Sequence, residues 1–201
     1  MKKQALLSLT IIVLIIAVAG ISSILIYNGL VKAEKSVDEA KAQIEAVYQR
    51  KLDLIPNLVE IVKGYAEHEQ QTLVAVVEAR SKAVGILEEI NTEKSLNQKR
   101  ITELTSSQSE LADTLKSLFA LVENYPDIKA STNYLGLQGQ LEGTENRITV
   151  ARQRYNSTIR YYDTKVATFP NNIIASLFGF EEKGDYFKAV EPTEKSLEIK
   201  F

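Results

Sequence analysis

The sequence predicts an all-α protein: an N-terminal transmembrane helix followed by an antiparallel up-and-down four-helix bundle with a short C-terminal helix. Three observations predict this fold class. Two lysines near the N-terminus precede an uncharged run over residues 5–27. After that run, apolar residues recur at alternating intervals of four and three, which is typical of helices packed in a bundle. Only four residues are proline, and none lies between Pro56 and Pro126.

The uncharged run has the length of a membrane anchor. At about 1.5 Å per residue, residues 5–27 span roughly 34 Å, which exceeds the roughly 30 Å of a hydrocarbon core. A cleaved signal peptide is the alternative, because Ala17-Val18-Ala19 resembles a cleavage site. The apolar run resumes at Ile21 and continues to Ile26, which favours an uncleaved anchor. We therefore predict a single-pass protein of the bacterial cytoplasmic membrane, with residues 1–4 as a short N-terminal segment.

The orientation of the anchor follows less directly from the charges. Lys2 and Lys3 favour a cytoplasmic N-terminus and an extracytoplasmic domain. Lys32, Lys35 and Lys41 on the other flank oppose that orientation. The charge pattern leans towards an extracytoplasmic domain and leaves the question open.

The bundle is predicted over residues 28–188, with 189–201 as a tail. Its first long helix ends at Gly64, because glycine can close a helix in a left-handed conformation. The alternative is a new helix beginning at Pro56. We prefer Gly64, which leaves Pro56 as a kink inside the first helix. The predicted helices lie near 28–64, 67–90, 95–124, 131–168 and, as a short final helix, 171–179. The apolar residues that predict the three packed faces are Tyr48, Leu52, Ile55, Val59 and Val62; Ile101, Leu104, Leu111, Leu115 and Leu118; and Leu141, Ile148, Tyr155, Ile159 and Tyr162.

Charged and amide side chains interrupt two of these faces. If the first and last long helices are antiparallel and of equal length, Arg50 lies beside Glu145, and Asp53 lies within two turns of Arg152. A buried charge without a partner costs several kcal/mol, so we expect these charges to pair and to fix the register of the helices. A ligand or partner site between the helices is the alternative. The polar residues of this predicted structural seam are Arg50, Asp53, Asn57, Glu145, Arg152 and Asn156.

The short final helix is strongly apolar. The same antiparallel register returns Phe169 to the end of the anchor, near residue 26. We therefore expect one face of this helix to contact the membrane interface, or alternatively to cap the bundle. The residues of that face are Ile173, Ile174, Leu177 and Phe178.

The composition excludes several kinds of site. There is no cysteine, and the formal net charge is −2, which gives no electrostatic reason to expect nucleic acid. The single histidine, His68, lacks the HExxH or Glu-x-x-His spacing of a metal site, so we predict an exposed loop residue. Gly139 and Gly143 are expected to permit close helix packing. We predict no catalytic, cofactor-binding or metal-binding residues.

Three ordered blocks of sequence resemble the LemA family. The first is RKLDLIPNLVEIVKGYAEHE at 50–69, followed by EARSKAV at 78–84. The second is YPDIKASTNYLGLQGQLEGTENRITVARQRYN at 125–156, and the third is FPNNIIASLFGF at 169–180 with DYF at 185–187. The resemblance implies one N-terminal membrane helix and a helical bundle, and it implies no defined activity. Some relatives are implicated in shaping bacterial membranes, as in magnetosome formation. The topology proposed for the family, with a short external N-terminus, conflicts with the charge-based orientation.

The predicted function is a non-enzymatic, membrane-anchored scaffold that self-associates and organises or remodels membrane. Its expected partners are the lipid bilayer and a second copy of the chain or an envelope protein. The alternative is a monomeric adaptor or regulator of an envelope protease or phosphatase system. A small-ligand receptor that uses the charged seam is a third hypothesis.

Overall fold

The computed structural model describes residues 2–66, 68–93 and 96–188, and every regular element in this part of the chain is a helix. This confirms the predicted all-α class. The predicted tail, 189–201, lies outside the described residues. The six helices are α1 (Lys2–Lys63), α2 (Gln70–Thr92), α3 (Gln98–Val122), α4 (Pro126–Lys129), α5 (Thr132–Ala167) and α6 (Asn171–Phe178).

The predicted anchor and the predicted first bundle helix are one continuous helix of 62 residues, α1. Its N-terminal part is the one helix among the described residues that is long and apolar enough to cross a membrane, and none of that part is buried in the protein. Burial begins at Leu30, which has no exposed surface. The helix ends at Lys63, so a turn at Gly64 separates α1 from α2, and Pro56 lies inside the helix.

The two longest helices, α1 and α5, pack against each other in antiparallel directions. The contacts run in opposite order along the two helices. Lys165 donates to the Gly29 carbonyl oxygen, Arg152 donates to Tyr48, and Lys51 pairs with Glu145. The second long helix, α2, packs against α1, and α3 packs against α2. The core between the helices contains most of the predicted apolar faces, including Tyr48, Leu52, Ile55 and Val62; Ile101, Leu104, Leu111 and Leu118; and Leu141, Ile148, Tyr155, Ile159 and Tyr162.

Side chains form hydrogen bonds with main-chain groups at the end of α2 and the start of α3. Lys41 of α1 donates to the carbonyl oxygens of Ile90, at 3.1 Å, and Glu93, at 2.7 Å. These carbonyls lie at the C-terminus of α2, where a cation is favoured, and the Ile90 carbonyl oxygen also accepts from the Glu93 amide at 3.1 Å. At the start of α3, the side chain of Asn97 accepts from the Arg100 amide at 2.9 Å. Polar contacts therefore fix the α2–α3 connection at both of its ends.

The expected close packing at Gly139 and Gly143 is absent. A Cβ atom added at either position would meet nothing within 4 Å. The close approach occurs instead at Gly29, where an added Cβ would lie 2.9 Å from the Lys165 Nζ atom. The glycines of α5 face open space because the helix turns its apolar residues, and not this pair, towards α1.

Candidate functional site

The polar seam between α1 and α5 is present, with a different cation from the predicted one. The Lys51 Nζ atom lies 2.5 Å from a Glu145 carboxylate oxygen, and the side chain of Lys51 is only 3% exposed. Arg50, the predicted partner, is exposed on the adjacent position of α1. The partner of Glu145 on α1 therefore lies one residue further along the helix than predicted. A buried ammonium needs such a partner, because an isolated buried charge is strongly unfavourable.

Arg152 also has a different partner from the predicted one. Its Nε atom donates to the Tyr48 hydroxyl at 2.7 Å, and its guanidinium lies over the Tyr48 ring. Asp53, which was expected near Arg152, is exposed and accepts from Gln49 at 2.7 Å. Burial raises the pKa of Tyr48, although the nearby Arg152 opposes that shift. The aromatic hydroxyl thus takes the place that the prediction gave to a carboxylate.

The two amides of the predicted seam differ in their surroundings. Asn57 is exposed on α1. Asn156 donates to the Phe187 carbonyl oxygen at 2.7 Å and accepts from the Phe187 amide at 2.9 Å. Phe187 in turn packs edge-on against Tyr155 and lies under the Arg152 guanidinium. Asn156 therefore holds the segment after α6 against α5.

Asp163 makes a second attachment for the same segment. Its carboxylate accepts from the amides of Lys183, at 2.8 Å, and Gly184, at 3.2 Å, and from the Tyr186 hydroxyl at 2.9 Å. Gly184 has a φ of 61°, which is unfavourable for residues with a Cβ atom. The side chains of Asp163 and Asn156 lie about two turns apart on α5. Together they fix residues 183–187 along this helix.

A small cavity lies beside the Lys51–Glu145 pair, between α1, α3 and α5. Its volume is about 240 Å³. The side chain of Gln108 on α3 is 5% exposed, and neither its amide nitrogen nor its carbonyl oxygen has a hydrogen-bond partner among the described residues. Lys51 and Arg152 also line this space. Two buried polar side chains, Lys51 and Gln108, therefore meet at this cavity.

The final helix, α6, packs at the level where the apolar run of α1 ends. The Tyr27 ring lies 4.9 Å from the Phe178 ring and 5.7 Å from the Phe180 ring, measured between centroids. Gly179 ends α6 with a φ of 74°, the left-handed conformation typical of helix C-termini. This turn brings Phe180 back beside Tyr27.

One residue of the predicted apolar face of α6 is buried against the bundle, and the other three are exposed. Ile174 is buried against the bundle, which corrects its assignment to the membrane-facing set. Ile173, Leu177 and Phe178 remain 58%, 73% and 56% exposed, and Phe169 just before the helix is 77% exposed. These four residues form the α6 patch. They lie beside the end of the apolar run because Phe178 contacts Tyr27.

His68 is exposed in the turn between α1 and α2, as predicted. It borders a groove of about 840 Å³ that also includes Val74 and Val77 of α2. These two valines are 52% and 49% exposed. The groove lies at the end of the bundle opposite Tyr27.

Sequence reasoning missed Lys51, Gln108 and Asp163. The apolar face of α3 advances by alternating intervals of three and four, and Gln108 occupies the position that the pattern skips between Leu104 and Leu111. That gap was a detectable signal of a buried polar residue. Asp163 follows the buried Tyr162, but its partners are backbone amides of an irregular segment, which no periodicity indicates.

Comparison with known proteins identifies relatives of this chain. A family model described as LemA family matches residues 40–201. Protein LemA of Metamycoplasma hominis is 27% identical over 148 residues, which is 74% of this chain and 63% of that protein. Magnetosome protein MamQ 1 of Paramagnetospirillum magneticum is 24% identical over 197 residues, covering 90% of this chain and 72% of that protein. Magnetosome protein MamQ of Magnetospirillum gryphiswaldense is 23% identical, covering 85% of this chain and 68% of that protein. The chain thus spans less than two thirds of the length of the LemA relative.

Proposed function

The chain belongs to the LemA family, and from this premise we propose that it is a non-enzymatic membrane scaffold. Residues 5–27 anchor it in the bacterial cytoplasmic membrane, and the bundle organises or remodels the membrane around this anchor. The observation that carries the proposal is the α6 patch beside the end of the anchor. The MamQ relatives are named as magnetosome proteins, and this name supports a role connected with membranes.

The geometry of α1 gives the α6 patch its position. Since α1 continues without interruption from the apolar run into the bundle, the height of each residue above the bilayer follows from its place in the helix. Tyr27 is the last residue of the apolar run and is 37% exposed. Tyrosine is enriched at membrane–water interfaces, where its ring is apolar and its hydroxyl remains wet. The rings that pack on Tyr27 therefore bring α6 to the level of the interface.

The composition of the α6 patch suits contact with lipid. Phe169, Ile173 and Leu177 leave most of their side-chain surface exposed. Full burial of one such side chain contributes roughly 1.5–3 kcal/mol, so even partial insertion of three of them gives a substantial interaction. An apolar helix lying at the interface binds in a manner that depends on membrane curvature. The bundle would thus contact the bilayer twice, through α1 and through α6.

Two contacts would let the protein act on membrane shape. The transmembrane part of α1 crosses both leaflets, whereas α6 would occupy one leaflet only. Added volume in one leaflet favours curvature, and the second contact restricts the tilt of the bundle. These effects need no catalytic group.

The experiment that tests this scaffold role compares vesicles containing the full-length chain with vesicles containing the Leu177→Gln variant. Leu135→Gln is the matched control, because Leu135 is 52% exposed on α5 at the membrane-distal end. The wild-type chain and the control are expected to alter vesicle diameter or shape in electron cryomicroscopy, and Leu177→Gln is expected to do so less. Vesicles indistinguishable from protein-free ones would contradict the role.

Self-association is the second part of the proposal, and the membrane-distal groove supports it. Val74 and Val77 expose apolar surface at its edge, in a position that a second copy could cover. Light scattering from the full-length protein in nanodiscs or mild detergent measures the mass. A defined assembly that Val77→Gln dissociates would support self-association. A monomer would contradict it and favour the alternative, a monomeric adaptor of an envelope protease or phosphatase system, which in-cell crosslinking would then address.

A further inference from the structure

The cavity between α1, α3 and α5 contains an amide whose hydrogen-bonding groups have no protein partner. Both polar atoms of the Gln108 side chain are buried, and neither meets a donor or acceptor in the described part of the chain. Leaving such groups unpaired is unfavourable, and buried polar groups in proteins normally find protein or water partners. The volume of about 240 Å³ equals that of roughly eight water molecules in the liquid. The cavity is therefore large enough to hold whatever satisfies Gln108.

The charges around the cavity favour an anion. Lys51 and Arg152 line it together with a single carboxylate, that of Glu145. Glu145 occupies one of the three donors of the Lys51 ammonium. Arg152 uses its Nε–H for Tyr48, and the remaining guanidinium N–H groups are available for a second acceptor. The lining thus has two cations against one carboxylate, and that carboxylate is 51% exposed, so the buried Lys51 ammonium is the charge for which a further anionic partner matters most.

The orientation of Arg152 is fixed before any ligand binds. Its guanidinium lies over the Tyr48 ring, with 5.7 Å between the Cζ atom and the ring centroid, and over the Phe187 ring at 5.3 Å. Ordered cationic groups bind anions better than mobile ones, because less conformational freedom is lost. Lys51 is equally restricted by burial and by Glu145.

We propose that this cavity binds a small organic carboxylate carrying a second hydrogen-bonding group, of the hydroxy-acid class. The carboxylate would lie between Lys51 and Arg152, and the hydroxyl group would satisfy Gln108. The volume is below the roughly 300–1,000 Å³ typical of pockets for drug-sized molecules, which limits the ligand to a small molecule. This proposal is independent of the membrane-scaffold role, since the cavity lies within the bundle and away from the α6 patch.

The test is thermal unfolding of the full-length protein in nanodiscs, with sodium lactate, sodium glycerate or sodium phosphate at the ionic strength of a sodium chloride reference. A ligand that binds only the folded state raises the Tm with its concentration. We expect lactate or glycerate to raise the Tm above the chloride reference. No rise with either carboxylate would overturn the proposal, as would a rise with phosphate alone.

Two variants locate the effect. Gln108→Leu removes the unpaired amide, so we expect the ligand-free variant to remain folded, while the carboxylate concentration that gives half of the maximal shift rises by about tenfold or more. Gln153→Leu is the matched control, because Gln153 is exposed on α5, and it should keep the wild-type response. An unchanged carboxylate response in Gln108→Leu would place binding elsewhere and overturn the assignment.

Discussion

Arg80 on α2 donates a hydrogen bond from its Nε atom to the main-chain carbonyl oxygen of Leu52 on α1, at 2.8 Å. Leu52 is four residues before Pro56, and proline has no N–H to donate to that carbonyl. The guanidinium of a neighbouring helix therefore replaces the hydrogen bond that Pro56 removes. This contact explains how a proline is accommodated within a helix of 62 residues.

The relationship between Arg80 and Pro56 predicts an energetic coupling. Arg80→Met leaves the Leu52 carbonyl unpaired and should lower the free energy of unfolding by about 1–3 kcal/mol. In a Pro56→Ala background, the main-chain amide of the introduced alanine can donate to the same carbonyl, so Arg80→Met should cost less. Unfolding of the wild type, both single variants and the double variant in mild detergent measures the coupling. Strictly additive effects would contradict the explanation.

Asp163 predicts a local unfolding behaviour. Asp163→Asn replaces one acceptor oxygen by an NH₂ group that faces other donors, so we expect a loss of about 1–3 kcal/mol in the stability of the segment it holds. Hydrogen exchange at the Lys183 and Gly184 amides should accelerate. Asp113→Asn is the control, since Asp113 is an exposed residue of α3. Unchanged protection of the two amides in Asp163→Asn would show that the carboxylate does not hold the segment.

The glycines of α5 predict stabilising substitutions. Gly139→Ala should raise the free energy of unfolding by about 1 kcal/mol, because alanine favours the helix and the added methyl group meets no atom within 4 Å. Gly29→Ala is a useful comparison, because its methyl group must displace the Lys165 ammonium. Thermal unfolding in detergent compares the two variants. A loss of stability in Gly139→Ala would indicate that this face is occupied.

The buried tyrosines predict that the stability of the fold depends on pH in the alkaline range. Burial raises the pKa of Tyr162 to about 12 and also raises the pKa of Tyr155. The unfolded value is about 10, so between about pH 10 and 12 the folded chain binds more protons than the unfolded chain. Stability should therefore be complete below about pH 10 and fall as the pH rises through this range.

The control for this prediction is the adjacent tyrosine. Tyr162→Phe should reduce the decline in Tm between about pH 10, the pKa of an unfolded tyrosine, and about pH 12. Tyr161→Phe should leave the decline unchanged, because Tyr161 is 60% exposed. The same decline in both variants would contradict the assignment to Tyr162.

The helical fold could be predicted because its signal is repeated over many turns. Alternating apolar intervals define three faces, and most of these residues are buried. The assumption of antiparallel helices of equal length placed α1 against α5 to within a few residues, which was not accurate enough to choose Lys51 over Arg50 as the partner of Glu145. A rotation of one residue changes the direction of a side chain by about 100°, so charge pairs require a more accurate register than apolar faces do.

The surroundings of α6 and of residues 183–187 were harder to predict for physical reasons. In an eight-residue helix with apolar residues on most sides, periodicity does not show which side packs on the bundle. Ile174 faces inward and Ile173 outward, and the contacts of Phe178 and Phe180 with Tyr27 hold α6 in this orientation. The segment 183–187 has no regular structure. Its position depends on Asn156 and Asp163, whose partners are distant in sequence.

The measurement that tests the central claim most directly is the depth of α6 in a bilayer. The chain contains no tryptophan, so Phe178→Trp introduces a single tryptophan whose emission can be excited apart from that of the tyrosines. Tyr65→Trp is the reference, because Tyr65 is exposed at the membrane-distal end of the bundle. In vesicles containing lipids brominated at defined depths, we predict strong quenching of the tryptophan at position 178 by shallow bromines and none at position 65. Equal, unquenched emission at both positions would show that α6 caps the bundle without touching lipid, and would contradict the account.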